Sequence, residues 1–200
     1  MVAAGNPVRI PLIDGGRPAP LFQGIAIVPT KNAVIPLFKV FLSPREQLLP
    51  RLAEVLYSGQ LSEGPPVAEF ERQFARLVGQ QDALSFYSGT AALHTAVVLA
   101  GVKPGDEVIS TAMTAEPTNL AILHAGGTVV WGDVDPCNGN IDPQSVESMI
   151  SPRTRAIMAV HYGGIPVSLD RLGEIAAKWS IPVIEDAAHA LGASYAGKLI

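Results

Sequence analysis

The stretch RAIMAVHYGGIPVSLDRLGEIAAKWSIPVIED, residues 155–186, joins two short apolar runs through an amphipathic segment. The runs RAIMAVHY and IPVIED have the length and the apolar content of buried strands. Between them, LDRLGEIAAKW repeats its apolar residues at helical spacing. A strand, a helix and a second strand in this order predict a βαβ unit, in which the two strands lie parallel.

The same alternation extends back to residue 82. The predicted strands are ALSFYS, EVIST and TVVWGDVD, and the predicted helices are TAALHTAVVLAG, PTNLAILHAG and PQSVESMI. Apolar strands that alternate with amphipathic helices predict an α/β fold of three layers (αβα), with helices on both faces of a mainly parallel sheet. This predicted domain covers residues 81–200.

Two more helices are predicted in residues 34–80, before the alternation begins. The first is indicated by the apolar residues of SPREQLLPRLAEVLYSG, and Pro50 would fit its first turn. The second is VAEFERQFARLV, which Gly79 would terminate. Residues 1–33 are rich in Pro and Gly and show no sustained period, so they are predicted to form a partly extended N-terminal extension.

Composition narrows the class of protein. The chain has 200 residues, of which 48% are hydrophobic, and this is enough for one substantial core. Its net charge of −4 comes from interspersed acids and bases, which excludes a basic nucleic-acid footprint. A lone cysteine, Cys137, no secretory signal and no apolar run long enough for a bilayer predict a cytoplasmic protein. No metal site is predicted.

Ligands of open α/β sheets bind at the carboxyl ends of the strands. The segments that follow the predicted strands are the most polar and glycine-rich points of the domain. They are YSGT, STAMTAEP, GDVDP, HYGG and EDAAH. We therefore expect the ligand site to be built from these segments.

The SGT triplet stands between a predicted strand and a predicted helix. Ser88 can cap that helix, and Gly89 lets the backbone approach a ligand closely. The N–H groups of Gly89, Thr90 and Ala91 would then face an anion such as phosphate, which the helix dipole favours. A plain strand-to-helix turn capped by serine is the alternative, and the triplet leaves both open.

Asp186 ends a predicted buried strand, and no lysine or arginine lies close to it in sequence. A buried carboxylate is costly unless it is paired or hydrogen-bonded. A ligand with a protonated ring nitrogen would supply a charge-assisted bond, whereas a helix N-cap would supply backbone N–H groups. Both interpretations stay open. His189, three positions later, could project to the same side or could simply pack.

Seven motifs occur in an order that resembles the N-terminal half of the pyridoxal-phosphate-dependent sugar aminotransferases of the DegT/DnrJ/EryC1/StrS family. The resemblance covers about residues 34–200 and rests on GPPVAEFERQFA, SGTAALHTA, GVKPGDEVIS, AGGTVVWGDVDP, NIDPQSVE, VHYGGIPVSLDRL and VIEDAAHALGASYAGKLI. It implies the large domain of the fold type I transferases, here incomplete, with pyridoxal 5′-phosphate (PLP) as cofactor. It also implies a homodimer that transfers an amino group from an amino acid, such as glutamate, to a nucleotide-activated keto sugar.

The resemblance also implies roles for individual residues. Gly89 and Thr90 match the backbone that holds the cofactor phosphate, and Asp186 matches the aspartate that bonds the pyridine nitrogen. His189 matches a position that contacts the ring or its 3-hydroxyl. Ala115 stands where the family usually stacks an aromatic ring on the cofactor, and alanine loses a stacking energy of about 1 kcal/mol.

The Schiff-base lysine of the family would lie beyond Ile200, and Lys198 does not match its position. No catalytic residue is therefore assigned, and the chain is expected to be an N-terminal fragment that is inactive alone. A deoxysugar dehydratase of the same family is one alternative. A non-catalytic truncated or split-gene subunit, with a complementing C-terminal polypeptide, is another. A nucleotide- or flavin-binding domain is disfavoured because neither G-x-G-x-x-G nor a Walker loop occurs.

Overall fold

A computed structural model describes residues 40–200 of the protein. The predicted extension at residues 1–33 lies outside the described residues. The chain divides into two units between Arg51 and Leu52, and the second unit contains the sheet. We describe that unit by itself, because it carries every candidate site residue.

Two helices precede the sheet, as predicted. Helix α1 spans Arg45–Ser58, and α2 spans Pro65–Leu77. The predicted place of Pro50 is wrong: α1 begins at Arg45, so Pro50 lies in the second turn, where its nitrogen has no hydrogen to donate to the preceding turn. Beyond α2, Gly79 adopts a φ of 69°, which closes the helix as predicted.

The alternating region forms an α/β fold around a parallel sheet, as predicted. Its elements are α3 (Gly89–Leu99), β1 (Glu107–Thr111), α4 (Glu116–His124), β2 (Thr128–Gly132), α5 (Pro143–Met149), β3 (Thr154–Val160), α6 (Leu169–Trp179) and β4 (Val183–Asp186). The four strands are parallel and lie in the order β2-β1-β3-β4. A short antiparallel hairpin follows, with β5 at Ser194–Tyr195 and β6 at Lys198–Leu199.

Helices cover both faces of the sheet. On one face, α3 and α4 bury Val97 and Ile122 against Val108 and Ile184 of the strands. On the other face, a second apolar cluster combines α5 and α6 with β1 and β3 and includes Val146, Leu172, Ile109 and Ile157. Each cluster removes apolar surface from water, and together they fix the register of the sheet.

The predicted strand ALSFYS, residues 83–88, is wrong. No strand forms there, and Leu84 and Tyr87 are 72% and 94% exposed. A strand needs a hydrogen-bonding neighbour, and none of β1–β4 lies beside this segment. The Ser85 backbone N–H and hydroxyl instead both donate to Glu71 Oε1, at 2.7 and 2.8 Å, and these bonds hold the pKa of Glu71 below its usual range.

Acid–arginine pairs join the amino ends of β1 and β3. Glu107 accepts a 2.6 Å bond from the Ser151 hydroxyl and pairs with Arg153. The Ser151 bond, followed by Arg153, holds the pKa of Glu107 below its usual range. Asp106 accepts from Arg155 Nε and Nη2 at 3.3 Å each, and the Arg155 bonds likewise lower the pKa of Asp106.

The strand order places a crevice at the carboxyl edge of the sheet. From β1 the chain passes through α4 to β2 on one side, whereas β3 lies on the other side of β1. The connections after β1 and β3 therefore leave toward opposite faces, where α4 and α6 pack. Such a switch in strand order is where ligands bind in open α/β sheets.

Candidate functional site

Asp186 is the last residue of β4 and is buried, with 9% of its surface exposed. Its Oδ2 accepts a 2.6 Å hydrogen bond from the Thr118 hydroxyl, and its Oδ1 accepts a 3.1 Å bond from the Ala188 N–H. No ion pair within residues 40–200 includes this carboxylate. Because two carboxylate oxygens offer about four lone-pair positions, Asp186 retains capacity for a cationic N–H donor.

The helix N-cap interpretation of Asp186 is wrong. Residues 188–192 form turns, and no α-helix begins after β4 within the described residues. The bond from Ala188 is a local turn of the kind that aspartate side chains make with the backbone two residues on. The burial of this carboxylate therefore has no explanation as a helix cap.

The hydroxyls of two threonines form a chain of hydrogen bonds that ends at the Asp186 carboxylate. Thr118 lies in the first turn of α4 and is fully buried, and its Oγ1 is 2.8 Å from Oγ1 of Thr114. A hydroxyl carries one hydrogen, and an ionised carboxylate only accepts. Thr118 therefore donates to Asp186 and accepts from Thr114. Thr118 was not among the predicted site residues, because it lies one residue beyond the segment STAMTAEP.

The predicted anion-binding turn begins α3. The Ser88 hydroxyl accepts the Ala91 N–H at 3.2 Å, so the expectation that the Ala91 N–H is available to an anion is wrong. The N–H groups of Gly89 and Thr90 lie in the first turn, where a helix offers them no acceptor. A Cβ at Gly89 would meet no atom within 4 Å, so there is open space beside this backbone.

Helix α3 packs on the sheet through its last turn. Val97, near the end of α3, packs in one cluster with Val108, near the beginning of β1. The eight steps from Gly89 to Val97 span about 12 Å of helix. Helices of α/β folds commonly run antiparallel to the strands that they cover, so we expect Gly89 and Thr90 to lie toward the edge at which Asp186 ends β4.

Ala115 is the N-cap residue of α4 and is exposed, next to Thr114 in the connection that follows β1. Its side chain makes no cap hydrogen bond. A single methyl group at this place offers a small apolar contact and leaves space that an aromatic ring would fill.

His189 lies in the turn after β4 and contacts the connection after β3. Its Nδ1 accepts the Gly163 N–H at 3.3 Å, and its ring meets that of Tyr162 edge-on, with centroids 6.2 Å apart. Nε2 is therefore the nitrogen left to face a ligand. Gly164 fixes this contact, because its φ is 82° and a Cβ there would lie 2.9 Å from the His189 carbonyl oxygen.

A buried histidine, which the sequence analysis did not single out, anchors the end of β4. His161 is fully buried, and its backbone N–H donates to the Asp186 carbonyl at 3.1 Å. Its Nδ1 accepts the Val167 N–H at 3.1 Å, which leaves Nε2 to donate to Glu185 Oε2 at 3.0 Å. The ring thus ties the connection after β3 to the residue before Asp186.

Asn140 joins the connections after β2 and β3. It is 4% exposed, and its Oδ1 accepts the Tyr162 N–H at 2.9 Å. Its Nδ2 donates to the carbonyls of Ile165 and Pro166, at 3.0 and 3.1 Å. These bonds hold the backbone that supports His189. They join residues more than twenty positions apart in sequence, so no local pattern could predict them.

A cleft of about 510 Å³ lies on the opposite side of β4 from Thr118. It is lined by Phe74, Leu169, Glu185, Tyr195 and Lys198, among others. Because successive side chains of a strand point to opposite faces, Glu185 faces this cleft while Asp186 faces α4. The cleft therefore does not lie on the side of β4 to which Asp186 points.

Three of the five lysines lie within the described residues. Lys103 stands in the turn before β1, Lys178 lies in α6 and donates to Glu147 Oε1 at 2.8 Å, and Lys198 begins β6. None of these three lies at the carboxyl end of β1–β4. Lys31 and Lys39 lie outside the described residues.

The model of the DegT/DnrJ/EryC1/StrS aminotransferase family matches residues 43–200. This match covers most of the chain, including every strand and every candidate site residue. The chain therefore belongs to the DegT/DnrJ/EryC1/StrS aminotransferase family, as the motifs indicated.

Two curated relatives are named for sugar and polysaccharide chemistry. The chain is 38% identical over 174 residues to the spore coat polysaccharide biosynthesis protein SpsC of Bacillus subtilis (strain 168), and covers 44% of that protein. It is 40% identical over 166 residues to the UDP-4-amino-4-deoxy-L-arabinose–oxoglutarate aminotransferase of Shewanella sediminis (strain HAW-EB3), and covers 42% of it. These matches include 87% and 83% of the present chain, which thus spans less than half the length of either relative.

Solved structures share the fold. AtS13 from Actinomadura melliaura is 46% identical with a TM-score of 0.79, over 86% of this chain and 47% of that one. NtdA from Bacillus subtilis, solved with bound cofactor PMP (pyridoxamine phosphate), is 33% identical with a TM-score of 0.72, over 74% of this chain and 34% of that one. Among residues 40–200, no helix has the length and apolar character needed to cross a bilayer.

Proposed function

We propose that this chain supplies the ring-nitrogen contact and part of the phosphate contact of a PLP site in a sugar aminotransferase. The observation that carries the proposal is the buried Asp186 carboxylate, which has two hydrogen-bond donors and no cationic neighbour within the described residues. When bound, PLP supplies an electron sink that stabilises negative charge on the substrate carbon. Asp186 would hold a proton on the ring nitrogen and so keep that sink effective.

The other candidate residues fit a phosphorylated ring ligand. The free N–H groups of Gly89 and Thr90, at the positive end of α3, would bind the phosphate. Ala115 would give a small apolar contact in place of an aromatic ring. His189, oriented by Gly163, would present Nε2 to the ring or its hydroxyl.

For the substrate, we propose a nucleotide-activated keto sugar, with an amino acid such as glutamate as the amino donor. The Shewanella relative is named for a UDP-amino sugar and for oxoglutarate, the keto acid that glutamate yields on giving up its amino group. A place in polysaccharide biosynthesis is supported by the name of the Bacillus relative. A cytoplasmic location stays a prediction from composition.

We also propose that the 200-residue chain does not complete amino transfer alone. None of Lys103, Lys178 and Lys198 lies at the carboxyl edge near Asp186. An amine that carries protons between cofactor and substrate would then come from outside the described residues of this chain. A second copy or a complementing polypeptide is the proposed partner.

The cofactor proposal is tested with pyridoxamine 5′-phosphate, which binds without a covalent bond. Calorimetric titration of the 200-residue chain gives the reference dissociation constant. Asp186→Asn retains the size of the side chain and removes its charge. Because a hydrogen bond to a charged group contributes about 1.5–3 kcal/mol, we expect binding to weaken roughly 10- to 100-fold.

Asp82→Asn is the matched control, since Asp82 is exposed and lies before all four strands of the sheet, outside the segments that follow them. We expect this variant to bind like the unaltered chain. Equal affinities of the Asp186 variant and the unaltered chain would contradict the proposal, as would no binding by the unaltered chain. Thermal unfolding of each variant verifies that it is folded.

A further inference from the structure

The hydroxyl of Thr118 is aimed away from its own helix. A buried threonine in a helix commonly bonds the carbonyl four residues earlier, as Thr95 Oγ1 does in α3 with Ala91 O at 2.9 Å. Thr118 instead donates across 68 positions of sequence to Asp186 Oδ2. One of its two acceptor positions is taken by Thr114, which precedes α4. Both bonds of the Thr118 hydroxyl are therefore made to residues outside its own helix.

We infer that Thr118, supported by Thr114, is a positioning residue that keeps the Asp186 carboxylate ionised and oriented toward the ligand's ring nitrogen. This inference rests on the proposed function, because it concerns the same carboxylate. It adds a residue whose action passes through Asp186 and which needs no contact with the ligand itself.

The physical reason is a competition for one proton. A ring nitrogen beside a carboxylate shares its proton with that carboxylate, and burial makes the neutral arrangement more favourable. A donor to the carboxylate stabilises its charged form and leaves the proton on the nitrogen. Thr118 is that donor, and the bond from Thr114 polarises its hydroxyl further. The second donor, Ala188 N–H, is a backbone group that no side-chain change removes.

The test uses Thr118→Val, which retains the branched shape and removes the hydroxyl. The probe is pyridoxamine 5′-phosphate labelled with 15N at the ring nitrogen, added to the 200-residue chain. We expect the 15N resonance to move from the protonated toward the unprotonated position, and binding to weaken about tenfold. Thr118→Ser restores the donor, so its resonance should return to that of the unaltered chain.

Thr95→Val is the matched control, because it makes the same change in a helix on the same face of the sheet. It should leave the 15N resonance unchanged, whereas a general loss of helix stability would affect both variants alike. If Thr118→Val does not fold, Thr114→Val removes only the bond to Thr118, and a smaller shift in the same direction is expected.

The possible outcomes distinguish a failure of the inference about Thr118 from a failure of the proposed function. If the unaltered chain binds with a protonated ring nitrogen and the Thr118 and Thr114 variants match it, the inference is wrong and the proposed function stands. If the unaltered chain binds no pyridoxamine phosphate, both are overturned. If Thr118→Val loses the ring proton and Thr118→Ser recovers it, the inference holds.

Discussion

At the scale of single residues, the position of His189 depends on two glycines in the connection after β3. Gly163 and Gly164 adjoin in the connection after β3, and both adopt positive φ, at 60° and 82°. They differ in their surroundings: a Cβ at Gly163 would meet nothing within 4 Å, whereas one at Gly164 would lie 2.9 Å from the His189 carbonyl oxygen. A substitution at Gly163 therefore tests backbone strain alone, whereas the same substitution at Gly164 tests strain together with a steric clash against His189.

Gly164→Ala should destabilise the chain more than Gly163→Ala. A left-handed conformation costs alanine about 1 kcal/mol at either position. Only the Gly164 variant also forces a methyl group against a carbonyl oxygen, which adds roughly 1–3 kcal/mol. Free energies of unfolding in urea measure the difference.

The same variants carry a prediction for the ligand. Because the clash falls on His189, Gly164→Ala should also weaken binding of pyridoxamine phosphate, and Gly163→Ala should leave it nearly unchanged. Equal losses of stability in the two variants would show that the His189 backbone yields freely.

At the scale of helices and strands, local pattern predicted most of the fold. Helix α6 was predicted with its observed bounds, because Leu172, Ile175 and Ala176 recur at helical spacing and bury one face. Strand β1 was likewise predicted as EVIST, and all five of its residues are buried. The local sequence of each of these two elements was therefore sufficient to predict it.

The strand that does not form and the side-chain contacts that were not predicted share one physical cause, which is that the deciding partner lies far along the chain. Residues 83–88 have the composition of a strand but no neighbouring strand. The bond between Thr118 and Asp186 and that between His161 and Glu185 join residues that no local periodicity relates. The predicted strands place the segments of these residues at one edge of the sheet. They do not determine which side chains form hydrogen bonds there.

The amino ends of β1 and β3 provide a prediction about pH. The pKa of Glu107 is lower in the folded chain than the unfolded value of about 4.3, because Ser151 and Arg153 bind its ionised form. Its contribution to stability is therefore present above pH 4.3 and is lost as pH falls through the folded pKa. The unaltered chain should lose stability below pH 4.3 more steeply than Glu107→Gln.

Chemical denaturation between pH 3 and 7 measures this dependence, where the pH range follows from ordinary carboxyl values. Glu63→Gln, at an exposed position before α2, is the control and should follow the profile of the unaltered chain. Parallel profiles for Glu107→Gln and the unaltered chain would mean that the Ser151 and Arg153 contacts do not favour the ionised carboxylate.

At the scale of the whole molecule, apolar side chains and strand edges are exposed in the described part of the chain. Leu84, Tyr87 and Leu99 are 72%, 94% and 82% exposed, and the outer edges of β2 and β4 are unpaired within the described residues. Exposed apolar surface and open strand edges are features of chains that associate with a further chain or segment. They agree with the proposal that a partner completes the site.

The chain supplied with PLP and glutamate should therefore form no 2-oxoglutarate. The reason is that no described lysine reaches the carboxyl edge, so no amine is placed to carry a proton there. An enzyme-coupled assay for 2-oxoglutarate measures this, with an intact family member as the positive control. Turnover above the rate of free PLP would contradict the expectation. Lys31 and Lys39 would then be the lysines to substitute next.

Strand β1 separates the acid–arginine pairs from the ligand crevice. Its five residues place Glu107 and Thr111 at opposite ends, about 13 Å apart. Changes at such a distance, without shared partners, add in their effects on folding. Substitutions that reshape the carboxyl edge for a new ligand can thus be compensated at the far end of the same strand, which lets this fold diversify its specificity.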